Sequence, residues 1–498
     1  MGQRREGLVR ARKAACLTQE ELAVLLPADV KSIRNWEAGR SEPQPYRRAR
    51  YAELLRVRLA RLEELLQERA VATSTTGAPS LDAETGTESN TGSAAEPAYD
   101  ASLRHTLTTP SASNATDPAD VRRIQQEWLR VRQAPGVRGR ELTELAAWLY
   151  PESQRAPGGH VLAGPGWLLD QPVPLDSVRL AWSDWHQPAP PWGSLEHVLP
   201  LTDRGELYAG YSRAVRDLVR PRLLENRLSY RLLGLRTDDG LELTFGTTSF
   251  FEVFDVKQAL AHEFKAAWLA SGRAAPDWDA LPLRAALGDP FDPQQLLMSP
   301  GISTLTVRRD RSGDEHRFVL HERDGGKVAD GGGLCHVMPA GEFQPSSVDP
   351  ADMRNDFSLW RNIMREFSEE FLGNPEHDGS RSGPIDYAQE EPFRSFDRAR
   401  VEGGLRLWHY GLAMEPLELG AVQMTVAVAD DVVFDQLFAG LVDANDEGRV
   451  VGHSGRTDMP FHAEAIDRLD PRLSASALTV LRLAWRDREL LLDGSATR

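Results

Sequence analysis

Apolar residues set the first elements. In LTQEELAVLLPADVKSIRNWEAGRSEP, Leu22, Ala23, Leu26, Ile33 and Trp36 recur at helical spacing and predict two short helices joined by a tight turn. Thr18 is expected to cap the first helix with Glu21 at the capping-box position, Asp29 to cap the second, and Gly39 to end it. Small Ala23 sits where the two backbones approach. The pattern then vanishes over residues 67–116, which are rich in Ser, Thr, Ala and Gly and nearly free of large aliphatics. Such a stretch cannot bury enough surface to order itself, so it is expected to be a flexible linker. Helical spacing returns in DPADVRRIQQEWLRVRQ and RGRELTELAAWLYP, and later in LYAGYSRAVRDLVRPRLLENR and KQALAHEFKAAWLA. Alternation in SYRLLGLR and LELTFGTTSFFEVFDV predicts strands between those last two helices. After about Pro300 come short alternating runs separated by Asp/Gly turns: ISTLTVRRD, HRFVLHERD, GLCHVMPAGEF, LRLWHYGLAMEP and AVQMTVAVAD. SASALTVLRLAWRDRELLL closes the chain as an amphipathic helix. No repeat of fixed period is present. The reading is a multidomain chain: an all-α region at 1–66, the linker at 67–116, an α+β region of unknown role at 117–300 and an α/β region at 301–498.

Length agrees, since 498 residues suggest about three domains. The two cysteines, Cys16 and Cys335, offer neither a disulfide framework nor a CxxC pattern. The N-terminus is charged rather than apolar, and no apolar run approaches the roughly 18 residues of a membrane span, so a cytoplasmic protein without a membrane partner is expected. Charge changes the picture more. The net value is −16, yet residues 1–70 hold 15 Lys and Arg against 10 Asp and Glu, leaving 43 against 64 in the other 428 residues. A basic end thus precedes an acidic body. Only 5 of the 58 basic residues are Lys, which matches the codon bias of a GC-rich bacterial genome and carries no mechanism.

Several features read as structural. Trp182, Trp185, His186 and Trp192 could stack on a base, but such a cluster in a Pro-rich stretch is more often core filling. His262-Glu263 lacks the second His of an HExxH site, and Gly331, Gly332 and Gly333 lack the GK[ST] of a phosphate loop, which leaves a turn between strands.

The first two helices have helix-turn-helix architecture. Through TQEELA and SIRNWEAGR the stretch resembles the Cro/C1-type (XRE) DNA-binding family over about residues 5–56. The resemblance implies a double-stranded DNA partner, with Gln19 on the phosphate backbone and Val30, Lys31, Ser32, Arg34 and Asn35 on the groove-facing side. A homodimer would read two half-sites. Pro27 stands where the family usually has a Gly at positive φ, so the turn must be built differently here. A small helical bundle used for protein contacts is the alternative.

REFSEEFLG, residues 365–373, is the other candidate. At 100° per residue Glu366, Glu369 and Glu370 project within about a third of a helix circumference, where three carboxylates could meet one hard cation. A solvated acidic face is the plainer reading of the same residues. With VMPAGEF upstream, the stretch resembles the core of a Nudix box, with Pro339 and Gly341 matching the turn before it, and the resemblance extends weakly over 301–498. It implies Mg²⁺ bound by Glu369 and Glu370 against a diphosphate, catalytic roles for Glu366 as ligand or base and for Arg365 as its orienter, and a nucleotide-type ligand. Two departures stand out. About ten extra residues lie between Gly341 and Arg365, within QPSSVDPADMRND, and Phe357 occupies the place of an expected Glu, with Asp356 as the nearest substitute. The combined expectation is a transcriptional regulator whose Nudix-like domain senses or hydrolyses a nucleotide-type ligand. The alternatives are a Mg²⁺-dependent nucleoside-diphosphate hydrolase with a localising helix-turn-helix, and a scaffold.

Overall fold

A computed structural model describes residues 5–14, 17, 19, 22–23, 26, 30–41, 43, 48, 51–52, 54–55, 57–67, 117–134, 140–184, 195–221, 224–313, 315–323, 333–377, 383–441, 448–451 and 458–493. The chain divides into two compact units, Met1–Asn114 and Ala115–Arg498. Apart from Gln67, the expected linker lies outside the described residues, as do Thr18, Glu21, Pro27, Asp29, Trp185, His186, Trp192, Gly331 and Gly332. No helix among the described residues is long and apolar enough to cross a membrane.

In the first unit, helices α1 (Glu6–Ala14), α2 (Val30–Glu37) and α3 (Leu59–Gln67) pack around Leu8, Leu22, Leu26, Ile33, Trp36, Tyr51 and Leu62, each 4 % exposed or less. The apolar positions that predict the helices are those that fill this core, Ala23 included. Gly39, at φ +66°, ends α2: its N–H donates to Trp36 O and the Arg40 N–H to Asn35 O, the paired bonds of a left-handed helix stop.

The second unit mixes helix and sheet. Its strands are β1 (Leu168–Pro174), β2 (Arg179–Trp182), β3 (Leu228–Arg236), β4 (Glu242–Ser249), β5 (Gly301–Arg309), β6 (Arg317–Phe318), β7 (Leu320–Arg323), β8 (Cys335–Val337), β9 (Ala340–Gly341), β10 (Leu405–Glu415), β11 (Gly420–Asp430), β12 (Gly448–Val451) and β13 (Met459–Pro460). The helices used below are α4 (Pro118–Gln133), α5 (Phe250–Ala270), α6 (Pro350–Asn355), α7 (Leu359–Glu366) and α8 (Ala475–Arg486). The largest sheet runs β1-β10-β11-β5-β6-β13, with β9 also on β5, and its centre is the parallel pair β11 and β5. The dividing line expected at 300 runs through this unit, because β1 pairs with β10.

Burial on both faces of β10 and β11 explains the layering. Trp408, Tyr410, Met424, Val426 and Val428 pack with Leu478 and Leu481 of α8, whereas Leu405, Leu407, Ala427 and Ala429 pack with Ile363, Phe367 and Phe371. Successive strand residues therefore serve opposite cores, and each face needs its own helix. On the α7 side a buried polar row crosses the sheet in register, His409 to Thr425 to Thr304, with the two threonine hydroxyls 2.7 Å apart. His409 accepts from the Gly411 N–H at 2.8 Å, and burial lowers its pKa to about 4. Burial likewise takes His262 of α5 to about 3, with Lys265 and Arg132 adding to it; its ring stacks on Trp128 of α4 and bonds the Tyr211 hydroxyl at 3.1 Å.

One boundary differs from expectation. The strand read through LELTFGTTSFFEVFDV stops at Ser249, and α5 begins at Phe250. Ser249 and Glu252 form a complete capping box there, which overrides the β-propensity of the following Phe and Val residues.

Candidate functional site

On α2, the sequence sorts residues by height above the core. Ile33 and Trp36 are buried, Lys31 and Arg34 are exposed, and Ser32 and Asn35 are half-buried between them. Val30 opens the helix, and its side chain lies outside the described set. The expected outer residues from Lys31 to Asn35 thus come together on one helix, with Gln19 beside it.

Beneath that face lies an ion pair the sequence reading does not contain. Arg12 of α1 grips Glu37 through two nitrogens, at 2.6 and 3.3 Å, and both side chains are under a tenth exposed. Arg5 adds a cap, donating to the carbonyls of Trp36 at 3.0 Å and Ser41 at 2.8 Å at the C-terminal end of α2. A guanidinium suits that end, where helix carbonyls lack partners and the dipole is negative. No sequence signal separates Arg5 or Arg12 from the other basic residues near the start of the chain.

In the second unit, α7 is capped by Ser358, whose side chain accepts from the Arg361 N–H, and it continues past Glu366 as a π-helical turn, Phe367–Phe371. An i→i+5 turn advances less per residue than the 100° of an α-helix. Glu370 therefore stays near the direction of Glu366, while Glu369 falls further from it. Their partners agree. Glu366 lies against β9, where a Cβ at Gly341 would overlap its carboxylate, and Glu370 accepts from the Ala340 N–H at 3.1 Å. Glu369 instead accepts from the His377 N–H at 3.2 Å, with the His377 ring 3.5 Å away. Two of the three expected carboxylates meet at β9, and the third faces His377.

Among the described residues no group of three or more His, Cys, Asp or Glu is set to hold a metal ion. A pair of carboxylates does suit Mg²⁺ that keeps waters or phosphate oxygens as its other ligands. Glu366 and Glu370 are the two carboxylates set against β9, and Glu369 is bonded to His377.

Arg365 is 5 % exposed and donates to Gln344 O at 2.5 Å and to Asn362 Oδ1 at 2.9 Å. Burial works against its charge, but nearby Tyr387, Asp356, Glu369 and Glu366 outweigh it and raise the pKa. Asp356, the nearest substitute for the missing Glu, is fully buried and already engaged: it accepts from Ser346 N at 2.7 Å, Ser346 Oγ at 2.6 Å and the Tyr387 hydroxyl at 2.7 Å. Burial, followed by Asp356 against the pull of Arg365, pushes the Tyr387 phenol far up, so it remains a donor. Asp356 ties the extra segment, which includes α6, together at Ser346 and to Tyr387, while the bond from Arg365 to Gln344 O joins that segment to α7. Phe357 belongs to an aromatic cluster with Trp182, Tyr230, Phe245 and Phe343, so the position expected to carry a Glu packs a ring instead. Trp182 forms the cluster's outer edge, 40 % exposed.

No protein-family model and no curated protein matches this chain. The site readings therefore rest on residue chemistry and on the two motif resemblances.

Proposed function

We propose that the chain is a DNA-binding transcriptional regulator of the Cro/C1-type, cytoplasmic, whose second unit carries a Nudix-like site for a nucleotide-type ligand. The carrying observation is α2: Lys31 and Arg34 stand in solvent on a helix whose opposite side is fixed by Ile33, Trp36 and the Arg12–Glu37 pair. A rigid helix with exposed cations, in a basic region of an acidic chain, is the combination duplex DNA selects. As a homodimer the protein would bind two half-sites.

For the ligand, Glu366 and Glu370 at β9 are the candidate holders of Mg²⁺, which would neutralise phosphate charge there. Sensing is favoured over turnover because Asp356 is saturated by hydrogen bonds and Phe357 is packed among rings, which leaves neither as a base. Hydrolysis of a nucleoside diphosphate by the same pair is the rival reading, and its support is the Gly341 cradle around Glu366.

The full chain should enrich a defined motif from a random duplex pool, and Lys31→Ala or Arg34→Ala should blur or erase that motif. No enriched motif would overturn the regulator reading. In parallel, nucleotide sugars, ADP-ribose-like compounds and dinucleoside polyphosphates are incubated with the protein and Mg²⁺. Binding without turnover supports the sensor, and turnover abolished by Glu366→Gln supports the hydrolase.

A further inference from the structure

The turn between β5 and β6 lines a cleft of about 400 Å³ that neither candidate site uses. Its other walls come from Phe461, Trp485 of α8 and the short helix α9 (Arg488–Asp493). The cleft stands at the carboxyl end of β5, beside that of its parallel neighbour β11, where Arg309 and Asp430 are register partners. Crevices at that end of parallel strands are where open α/β sheets take their ligands. Gly341, against which Glu366 lies, pairs with Ile302 near the other end of β5, roughly 23 Å away along the strand at about 3.3 Å per residue. Phe461 and Trp485 also pack with the core under α8, on the sheet face opposite α7.

Both signs of charge meet there. Asp430 receives Arg309 at 3.1 Å, Arg311 at 3.6 Å and Arg406 at 3.9 Å, so three guanidiniums share one carboxylate, and two of them, Arg309 and Arg311, line the cleft. Asp310 and Glu315 of the turn have other duties. Asp310 accepts from the Ser312 N–H at 2.9 Å and the Glu315 N–H at 3.1 Å, and Glu315 pairs with Arg317 at 2.9 Å. Glu489 and Asp493 stand exposed on α9. His316 feels both sets: burial lowers its pKa, while Asp310 and Asp493 raise it and Arg309 lowers it. Its Nδ1 accepts from the Asp310 N–H at 3.2 Å, so the neutral ring carries its proton on Nε2. A phosphate group would face the carboxylates of α9, and a plain cation would face the arginines; a zwitterion answers both. The rest of the wall is apolar, with Leu492 and the Phe461 and Trp485 rings, whose centroids are 5.4 Å apart and nearly perpendicular. A volume of about 400 Å³ is at the small end of ligand clefts. We propose that this cleft binds a free amino acid with a large apolar side chain: the carboxylate at Arg309 and Arg311, the ammonium at Asp493 and Glu489, and the side chain against Phe461, Trp485 and Leu492.

The test is calorimetric titration of the full chain with L-phenylalanine, L-tryptophan and L-leucine. At least one should bind with a Kd below about 1 mM, as suits a ligand of roughly ten to fifteen non-hydrogen atoms. Taking one charge off the best binder should weaken it by at least about tenfold, because one set of charges in the cleft is then left unmatched. For L-phenylalanine the two analogues are phenethylamine, which lacks the carboxylate, and 3-phenylpropanoate, which lacks the ammonium. Arg311→Gln and Asp493→Asn lie at exposed positions, where the fold is not at stake, and should each weaken the best binder by about tenfold. The assignment is overturned if none of the three amino acids binds at millimolar concentration, or if either analogue binds as well as its parent. It is equally overturned if inorganic pyrophosphate binds in their place, or if the two variants leave the affinity unchanged.

Discussion

On α2, Ile33 and Trp36 face the core while Lys31 and Arg34 stand in solvent; on α7 and the turn that follows, Arg365 and Glu370 are themselves buried, and Glu366 and Glu369 are half-buried. Both stretches put charged residues at helical spacing. The first keeps α-helical geometry to its glycine stop, so residue spacing maps directly onto direction. The second widens into a π turn, and spacing misleads by one side chain: Glu369 leaves the group that Glu366 and Glu370 keep. Charge placement also differs in kind. The first unit buries the Arg12–Glu37 pair beneath an exposed face, whereas around α7 the second unit buries Arg365 and Asp356 themselves, among backbone and side-chain partners.

That contrast can be broken most severely at Glu37. Glu37→Ala leaves the Arg12 guanidinium buried without its carboxylate, which should cost about 3–5 kcal/mol and unfold the first unit. Denaturation of the full chain should then lose its first-unit transition and keep the second. Survival of both would mean that the pair is peripheral.

Acid should reverse the order of damage. His409 and His262 have pKa values lowered by burial to about 4 and about 3, below the value near 6.5 of an unfolded chain. The unfolded state therefore binds more protons as pH falls, so the stabilisation is complete above about 6.5 and is lost on the way down to those folded values. Between pH 7.5 and 5.5 the second unit should lose about 1 kcal/mol per histidine, roughly twice that for both. Residues 5–67 contain no His, so the first unit should hardly respond. Urea midpoints at the two pH values check this, and equal shifts in both units would contradict it.

Smaller effects separate the three carboxylates. Glu366→Gln and Glu370→Gln should each weaken Mg²⁺-dependent nucleotide binding by at least about tenfold. Gly341→Ala should do the same indirectly, since its methyl group would displace the Glu366 carboxylate. Glu369→Gln should change ligand affinity by less than about twofold and stability by about 0.5 kcal/mol, because its partner is His377 at a partly exposed position. Calorimetric titration ranks the four, and an effect of Glu369→Gln as large as that of Glu370→Gln would restore the three-carboxylate site.

What could be read in advance follows from how local each signal is. The first-unit core at Leu22, Leu26, Ile33 and Trp36 and the stop at Gly39 depend on neighbours within one or two turns, and the strands after Pro300 depend on alternation. The Ser249–Glu252 box was equally local but was masked by the β-formers around it. Pairing of β1 with β10 joins residues more than two hundred positions apart, and nothing in either strand names the other. Arg12 and Glu37, 25 positions apart, and Asp356 and Tyr387, 31 apart, are also too far separated for a local pattern to join them. The π turn had no sequence mark, so spacing alone could not show that Glu369 takes the His377 N–H while Glu370 takes that of Ala340.

The regulator account stands or falls on coupling between its two sites. Full-length protein is titrated with the nucleotide that binds it best, with and without the enriched duplex, at two salt concentrations. Coupling between binding free energies is reciprocal, so a ligand that weakens duplex binding must itself bind the duplex-bound protein more weakly, by the same factor. The account predicts a ratio different from one that Glu366→Gln abolishes; identical nucleotide affinities in all four conditions would contradict it.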